Sequence, residues 1–139
     1  MLRVVLDTNI WVSVLITSHG QYAALVREIA RQDTLYASEA ILEEVRDVVL
    51  RPRILKKYHL SETVVDQALL AIRGLVALVS DLPTLIVVPD DPDDNKILAC
   101  AVKARADYLV SYDPHLTALG DYEGIQILTP RQFRSVLKG

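Results

Sequence analysis

The sequence predicts an α/β protein, a three-layer α/β/α sandwich around a parallel sheet. Three observations carry this expectation. Short β-branched apolar runs recur along the chain, and longer stretches of helical period separate them. The runs are near-continuously apolar, as strands covered on both faces must be, which implies right-handed crossovers. A 139-residue chain that is 51% hydrophobic and 24% charged supports one buried core, so residues 1–139 are expected to form a single domain.

The first strand is Arg3-Val-Val-Leu6, ending at Asp7-Thr8-Asn9, a cluster that favours turns and helix caps. A helix is expected from near Ile10. Further strands are expected over residues 34–37, 85–88, 108–111 and 125–128. A helix begins near Ser38 with the apolar stripe Ile41, Leu42, Val45, Val48 and Val49. Residues 61–79 place Val64, Val65, Ala68, Leu69, Ile72, Leu75, Val76 and Val79 on one helical stripe, with Ser61 as its N-cap. A last well-marked helix carries Ile97, Leu98, Ala101 and Val102. No repeat, low-complexity segment or flexible linker interrupts the pattern.

Composition excludes several classes. Fifteen Lys plus Arg against eighteen Asp plus Glu give a formal charge of -3, so a polyanion partner would need a local basic device. Cys100 is the sole cysteine, which rules out a disulfide framework or a Cys-rich zinc site and fits a reducing cytoplasm. No apolar stretch approaches a membrane span, and the run over residues 10–16 follows Asp7 instead of a basic leader, so a non-secreted, non-spanning chain is expected. There is no Gly-rich phosphate loop and no Gly-x-Ser-x-Gly elbow, and His19, His59 and His115 fall in predicted turns or helix ends.

Open parallel sheets bind ligands beyond the carboxyl ends of their strands, where strand order reverses. Asp7 and Asp113 both end predicted strands on that rim. In the helix after Ser38, phase places Glu44 about 100° from the apolar stripe and Glu43 and Asp47 about 160° away, so Glu44 alone can edge inward. The segment Val88-Pro-Asp-Asp-Pro-Asp-Asp-Asn95 masses four aspartates before a helix, with Asp94 close to the middle of the apolar stripe. Either Asp93 or Asp94 could cap that helix, yet capping requires a single acid. Two unit charges about 5 Å apart repel by roughly 3 kcal/mol at an effective dielectric near 20, so four converging acids call for a cation. Without Cys or paired His at ligand spacing, an all-oxygen set selects Mg²⁺ or Mn²⁺ over zinc. Such ions serve phosphodiester hydrolysis. Arg51-Pro-Arg53-Ile-Leu-Lys56-Lys57-Tyr58 supplies candidate RNA contacts through Arg51, Arg53, Lys56 and Lys57.

These residues resemble the PIN-domain nucleases, particularly the toxin components of toxin and antitoxin pairs. The resemblance covers nearly the whole chain. It rests on Val-Leu-Asp7-Thr-Asn9, on Ser-Glu-Ala-Ile-Leu-Glu-Glu44-Val with Leu50-Arg-Pro-Arg53, on Asp91-Pro-Asp-Asp94-Asn-Lys96, and on Tyr-Leu-Val-Ser111-Tyr-Asp113. It implies a five-stranded parallel sheet in the order 3-2-1-4-5. It also implies an Mg²⁺ or Mn²⁺ site formed by Asp7, Glu44, Asp94 and Asp113 for cleavage of single-stranded or structured RNA. Asn9 and Ser111 would support that site, and Asp91 is the natural substitute ligand. In this reading Asp7 and Asp94 are the main ligands, Asp113 completes the site and Glu44 orients the attacking water. A small antitoxin partner and a homodimer follow from the same resemblance.

Three other readings compete. An aspartate-dependent phosphatase of the haloacid dehalogenase type would use Asp7 as nucleophile, but it expects a second Asp where Asn9 stands. A phosphoacceptor receiver domain wants an acid pair beside the first strand and a Lys after the last. A non-catalytic PIN-like module would bind RNA or protein without cutting, as domains lacking some acids do.

Overall fold

The structure is a computed structural model and describes residues 1–17, 19–88 and 91–139. Its elements run β1 (Arg3–Leu6), α1 (Thr8–Ile16), α2 (Gln21–Gln32), β2 (Thr34–Ser38), α3 (Glu39–Val49), α4 (Pro52–Lys57) and α5 (Glu62–Leu75). They continue with β3 (Val76–Val79), α6 (Pro92–Ala104), β4 (Tyr108–Val110), α7 (Pro114–Thr117), β5 (Asp121–Tyr122), β6 (Ile125–Leu128) and α8 (Pro130–Lys138).

The sheet order is β3-β2-β1-β4-β6-β5, with every neighbouring pair parallel except β5 and β6. Five parallel strands in the expected order thus carry a sixth, antiparallel strand at one edge. That strand is only two residues long and has no periodicity to read. Its hairpin is closed by Glu123 at φ 49° and Gly124 at φ 84°, the two left-handed residues that a tight two-residue turn requires. Strand order reverses at β1, which pairs with β2 on one side and β4 on the other.

The third parallel strand is not where the sequence predicts it. Residues 85–88 form no strand, and the helix expected to reach residue 79 stops at Leu75. Val76-Ala-Leu-Val79 instead pairs with residues 35–38 of β2. A four-residue apolar run satisfies both the helical and the strand period, and Gly74, a poor helix former, precedes the switch. The corrected assignment leaves β3 as an edge strand with Leu78 exposed.

The remaining expectations on helices hold. Ser38 and Ser61 cap α3 and α5, accepting from the Ile41 and Val64 backbone N–H groups at 3.2 Å. In α5, Val65, Leu69 and Ile72 are buried, whereas Val64 faces solvent. Helix α6 packs across β1, β2, β3 and β4, and meets α3. Val4, Val5 and Leu6 of β1 are fully buried, as are Leu109 and Val110 of β4, so the two strands that end at the reversal point lie in the core. Cys100 is buried there too, and desolvation pushes its thiol up to about 12, which makes it a small apolar filler. No helix among the described residues is long and apolar enough to cross a membrane.

Candidate active site

Asp7 occupies the N-cap position of α1, yet its side chain makes no capping bond. Its carboxylate points elsewhere. The residue is 3% exposed, and Oδ2 accepts a 2.6 Å hydrogen bond from the Ser111 hydroxyl. The Asp7 backbone N–H donates to the Val110 carbonyl at 2.9 Å, which ties the end of β1 to the end of β4. Burial pushes the Asp7 pKa up, the Ser111 bond partly offsets this, and the charges of Asp113 and Asp91 raise it further.

Fully buried Ser111 also accepts from the Asp113 backbone N–H at 3.0 Å. One hydroxyl therefore orders two strand ends. Asp113 caps α7, its Oδ1 accepting from the His115 backbone N–H at 2.9 Å.

The acidic segment is organised by two residues to which the sequence alone gives lesser roles. Its first aspartate, Asp90, lies outside the described residues. The cap of α6 is Asp91, not Asp93 or Asp94: its Oδ1 accepts from the Asp94 N–H at 3.3 Å, and Pro92 follows at the first helical turn. Asn95 then stitches the preceding strand-like stretch to the helix. Its Oδ1 accepts from the Val87 and Val88 N–H groups at 2.9 and 2.8 Å, and its Nδ2 donates to the Val88 carbonyl at 2.8 Å. Residues 87 and 88 thus satisfy their backbone through a side chain instead of a strand ladder, which explains the absent strand. Asn95 carries no charge, and no pattern in the sequence marks this role.

Asp94 is 5% exposed, as its phase predicts. Among the described residues no donor group reaches Oδ2. Burial first, then a hydrogen bond with the Asp113 carboxylate that favours the protonated form, then the charges of Asp113, Asp91 and Asp7, push its pKa up to about 8. Asp93, by contrast, is exposed and lies 3.9 Å from Lys96.

Glu44 is half-buried while Glu43 and Asp47 face solvent, in agreement with helical phase. Its Oε2 accepts from the Thr8 hydroxyl at 3.2 Å. Arg46, two residues on, pairs with Glu62 and Asp66 on α5. Burial, then the neighbouring Asp93 charge, raise the Glu44 pKa, with Asp7 and Asp91 adding to the effect. Asn9 is exposed, and its backbone carbonyl accepts from the Tyr112 hydroxyl at 3.3 Å.

The tightest group is Asp91, Asp94, Asp113 and His115, whose ligand atoms all lie within 4.8 Å of one another. Asp7 and Glu44 stand outside that group, close enough to act on it electrostatically. His115 was not expected here. Its position two residues after Asp113 puts it in the first turn of the helix that Asp113 caps, a placement the sequence contains but does not advertise. The donor set fits a divalent ion: three carboxylates converge, and one of their oxygens is buried without a group that donates to it.

Residues 3–115 match the family model described as PIN domain. The chain belongs to the PIN domain family. An uncharacterized protein of Methanocaldococcus jannaschii is 27% identical over 141 residues, covering 95% of this chain and 89% of that protein. Two solved structures share the fold. VapBC2 from Rickettsia felis, bound to a DNA fragment from its promoter, matches at a TM-score of 0.64 and 16% identity, over 92% of this chain and 98% of that one. Mycobacterium tuberculosis VapC20, described as a sarcin-ricin loop cleaving toxin, matches at a TM-score of 0.55 and 13% identity, over 86% and 97%.

In this PIN domain Glu44 and Asp93 line a cleft of about 290 Å³, together with Glu43, Asp47, Arg51 and Lys96 among others. Arg51 is the N-terminal cap residue of α4 and brings positive charge to the same cleft. Arg53, Lys56 and Lys57 are exposed on the same short helix, with the Lys57 ammonium 5.3 Å from the centre of the Tyr58 ring.

Proposed function

We propose that this PIN domain is a divalent-cation-dependent ribonuclease that hydrolyses RNA phosphodiester bonds with water, and that it serves as the toxin of a toxin and antitoxin pair. The observation that carries the reading is Asp94 Oδ2, a buried carboxylate oxygen without a donor, facing other carboxylates at the reversal point of the sheet. Supporting the toxin role are the solved neighbours, one a VapBC complex and one a sarcin-ricin loop cleaving toxin. We assign the whole chain to one domain, a cytoplasmic setting, a homodimeric assembly and a small protein inhibitor as partner.

Asp91, Asp94 and Asp113 would hold the ion, with Asp7 beside them. When bound, Mg²⁺ or Mn²⁺ neutralises phosphate charge and lowers the pKa of water in the site. Ser111 keeps the Asp7 carboxylate aimed by donating to Oδ2, and its acceptance from the Asp113 N–H fixes the spacing between the two strand ends. Glu44, held by Thr8 and raised in pKa by burial and Asp93, accepts a proton from the attacking water. No covalent enzyme intermediate forms, and the products carry a 5′ phosphate and a 3′ hydroxyl. Arg51, Arg53, Lys56 and Lys57 steer the RNA backbone towards the cleft.

The test uses purified protein freed of metal and of any inhibitor. Single-stranded RNA should be cut only after Mg²⁺ or Mn²⁺ is added, and Asp7→Asn should abolish the cutting. Metal-independent cleavage, or full activity in that variant, would overturn the reading. RNA binding without any metal-dependent product would indicate a binding module instead.

A further inference from the structure

His115 is the member of the tight group to which the hydrolytic reaction gives no task. Its Nδ1 lies 3.9 Å from an Asp91 oxygen, 3.9 Å from Asp94 Oδ2 and 3.8 Å from Asp113 Oδ1. None of these is a hydrogen bond, which needs donor and acceptor within about 3.2 Å. A histidine that had settled on one carboxylate would be close to that one and farther from the others. The ring nitrogen instead faces all three carboxylates at once, and one ligand atom from each of the four residues lies within 4.8 Å of the others. Ligands bound at roughly 2.1 Å to a six-coordinate ion are about 3 Å apart on adjacent vertices and about 4.2 Å apart on opposite ones. The observed separations of 3.8 and 3.9 Å exceed the adjacent-vertex distance by less than about 1 Å, so a small swing of the ring would bring Nδ1 onto an ion held by these carboxylates. A second, independent feature points to the same place: Asp94 Oδ2, one of the three oxygens facing the ring, is buried and receives no hydrogen bond from any donor among the described residues.

We propose that His115 Nδ1 is a ligand of the divalent ion, so that the site is a mixed nitrogen and oxygen set that favours Mn²⁺ over Mg²⁺. The inference rests on the ion-dependent reading above and revises the all-oxygen ligand set expected from sequence. Mg²⁺ holds oxygen donors and gives up its water reluctantly, whereas imidazole nitrogen is a regular donor to first-row transition ions. The ring is also free to adjust: the His115 side chain is 65% exposed, while its backbone is pinned by the bond from its N–H to Asp113 Oδ1.

The whole chain, stripped by a chelator, is titrated calorimetrically with Mn²⁺ and with Mg²⁺, and the Mn²⁺-loaded protein is examined by pulsed electron paramagnetic resonance. The wild type should show the modulation of a directly bound imidazole nitrogen, and His115→Ala should lose it. The same substitution should weaken Mn²⁺ binding about tenfold or more and Mg²⁺ binding by less than about threefold. Because the side chain is exposed and the capping bond uses the backbone, the variant should keep the wild-type circular dichroism spectrum. Mn²⁺ uptake without nitrogen modulation, or an unchanged preference between the two ions in His115→Ala, would overturn the assignment while leaving the ion-dependent reading intact. Absence of uptake of either ion would overturn both.

Discussion

The Ser111 hydroxyl donates to Asp7 Oδ2 at 2.6 Å across 104 positions of sequence. Both residues are buried at the point where strand order reverses, and the same hydroxyl accepts from the Asp113 N–H. Ser111→Ala therefore removes the donor that holds Asp7 and leaves a backbone N–H without its acceptor. Buried groups left unsatisfied cost about 1–3 kcal/mol each, so chemical denaturation should show a loss in that range. Ion affinity and cleavage rate should fall about tenfold or more, as they do when an oriented ligand loses its support. Wild-type ion affinity in the variant would show that Asp7 needs no orientation by Ser111.

Asn95 supports the site from the other side. Its side chain meets the N–H groups of Val87 and Val88 and the carbonyls of Val88 and Asp91, and so fixes the approach to the helix that carries Asp94. Asn95→Ala should destabilise the fold by about 2 kcal/mol or more, because several buried backbone groups lose partners together. Asn95→Asp keeps the acceptor, loses the donor and adds a charge near Asp94. It should weaken the fold as well, and the metal-free protein should suffer more than the ion-loaded one. Urea titrations with and without saturating Mn²⁺ make the comparison.

Most of the parallel sheet was legible in the sequence because its strands read as short apolar runs bounded by turn residues, most plainly in β1 and β4, whose Val4, Val5, Leu6, Leu109 and Val110 are fully buried. The inward turn of Glu44 and Asp94 was legible for a similar reason: helical phase is a local property. Two kinds of feature were hidden. Val76–Val79 continues the apolar stripe of α5 without a break in period, so only pairing with β2 decides its conformation. His115 and Asn95 act through contacts set by tertiary packing, and neither belongs to a pattern that marks it. The residues that carry charge were thus easier to find than those that place it.

The basic segment gives a prediction about binding that is separate from chemistry. Arg53, Lys56 and Lys57 are exposed on α4, and Arg51 lines the cleft shared with Glu44 and Asp93. Removing a cation that neutralises one phosphate should reduce the salt dependence of RNA binding by about one unit of log-log slope. Lys56→Ala with Lys57→Ala should weaken RNA binding and raise KM, with kcat at saturating RNA nearly unchanged. A fall in kcat with unchanged KM would move this segment from steering to the reacting centre. Filter binding across a salt series, paired with steady-state cleavage, reads both quantities.

The massed carboxylates set the sign of the pH dependence of stability in the metal-free protein. Asp94 is pushed up to about 8, mainly by burial and then by Asp113, Asp91 and Asp7, whereas an unfolded aspartate titrates near 3.8. Between those values the folded chain holds a proton that the unfolded chain has released, so stability must fall as pH rises through the window. Asp7 and Glu44, both raised, act in the same direction. Glu39 and Asp66 are lowered by Arg73 and Arg46. Their stabilisation is present above the ordinary carboxylate range and is lost on acidification below it. From about pH 5 to pH 8 the raised group dominates, and the Tm of the metal-free protein should decline across that interval. Saturating Mn²⁺ or Mg²⁺ should raise Tm more at pH 8 than at pH 5, because an ion binds the ionised carboxylates and stabilises the fold that presents them. Asp94→Asn should abolish ion uptake, raise the metal-free Tm at pH 8 and flatten most of the decline. A decline that persists undiminished in Asp94→Asn would place the destabilising charge on another residue.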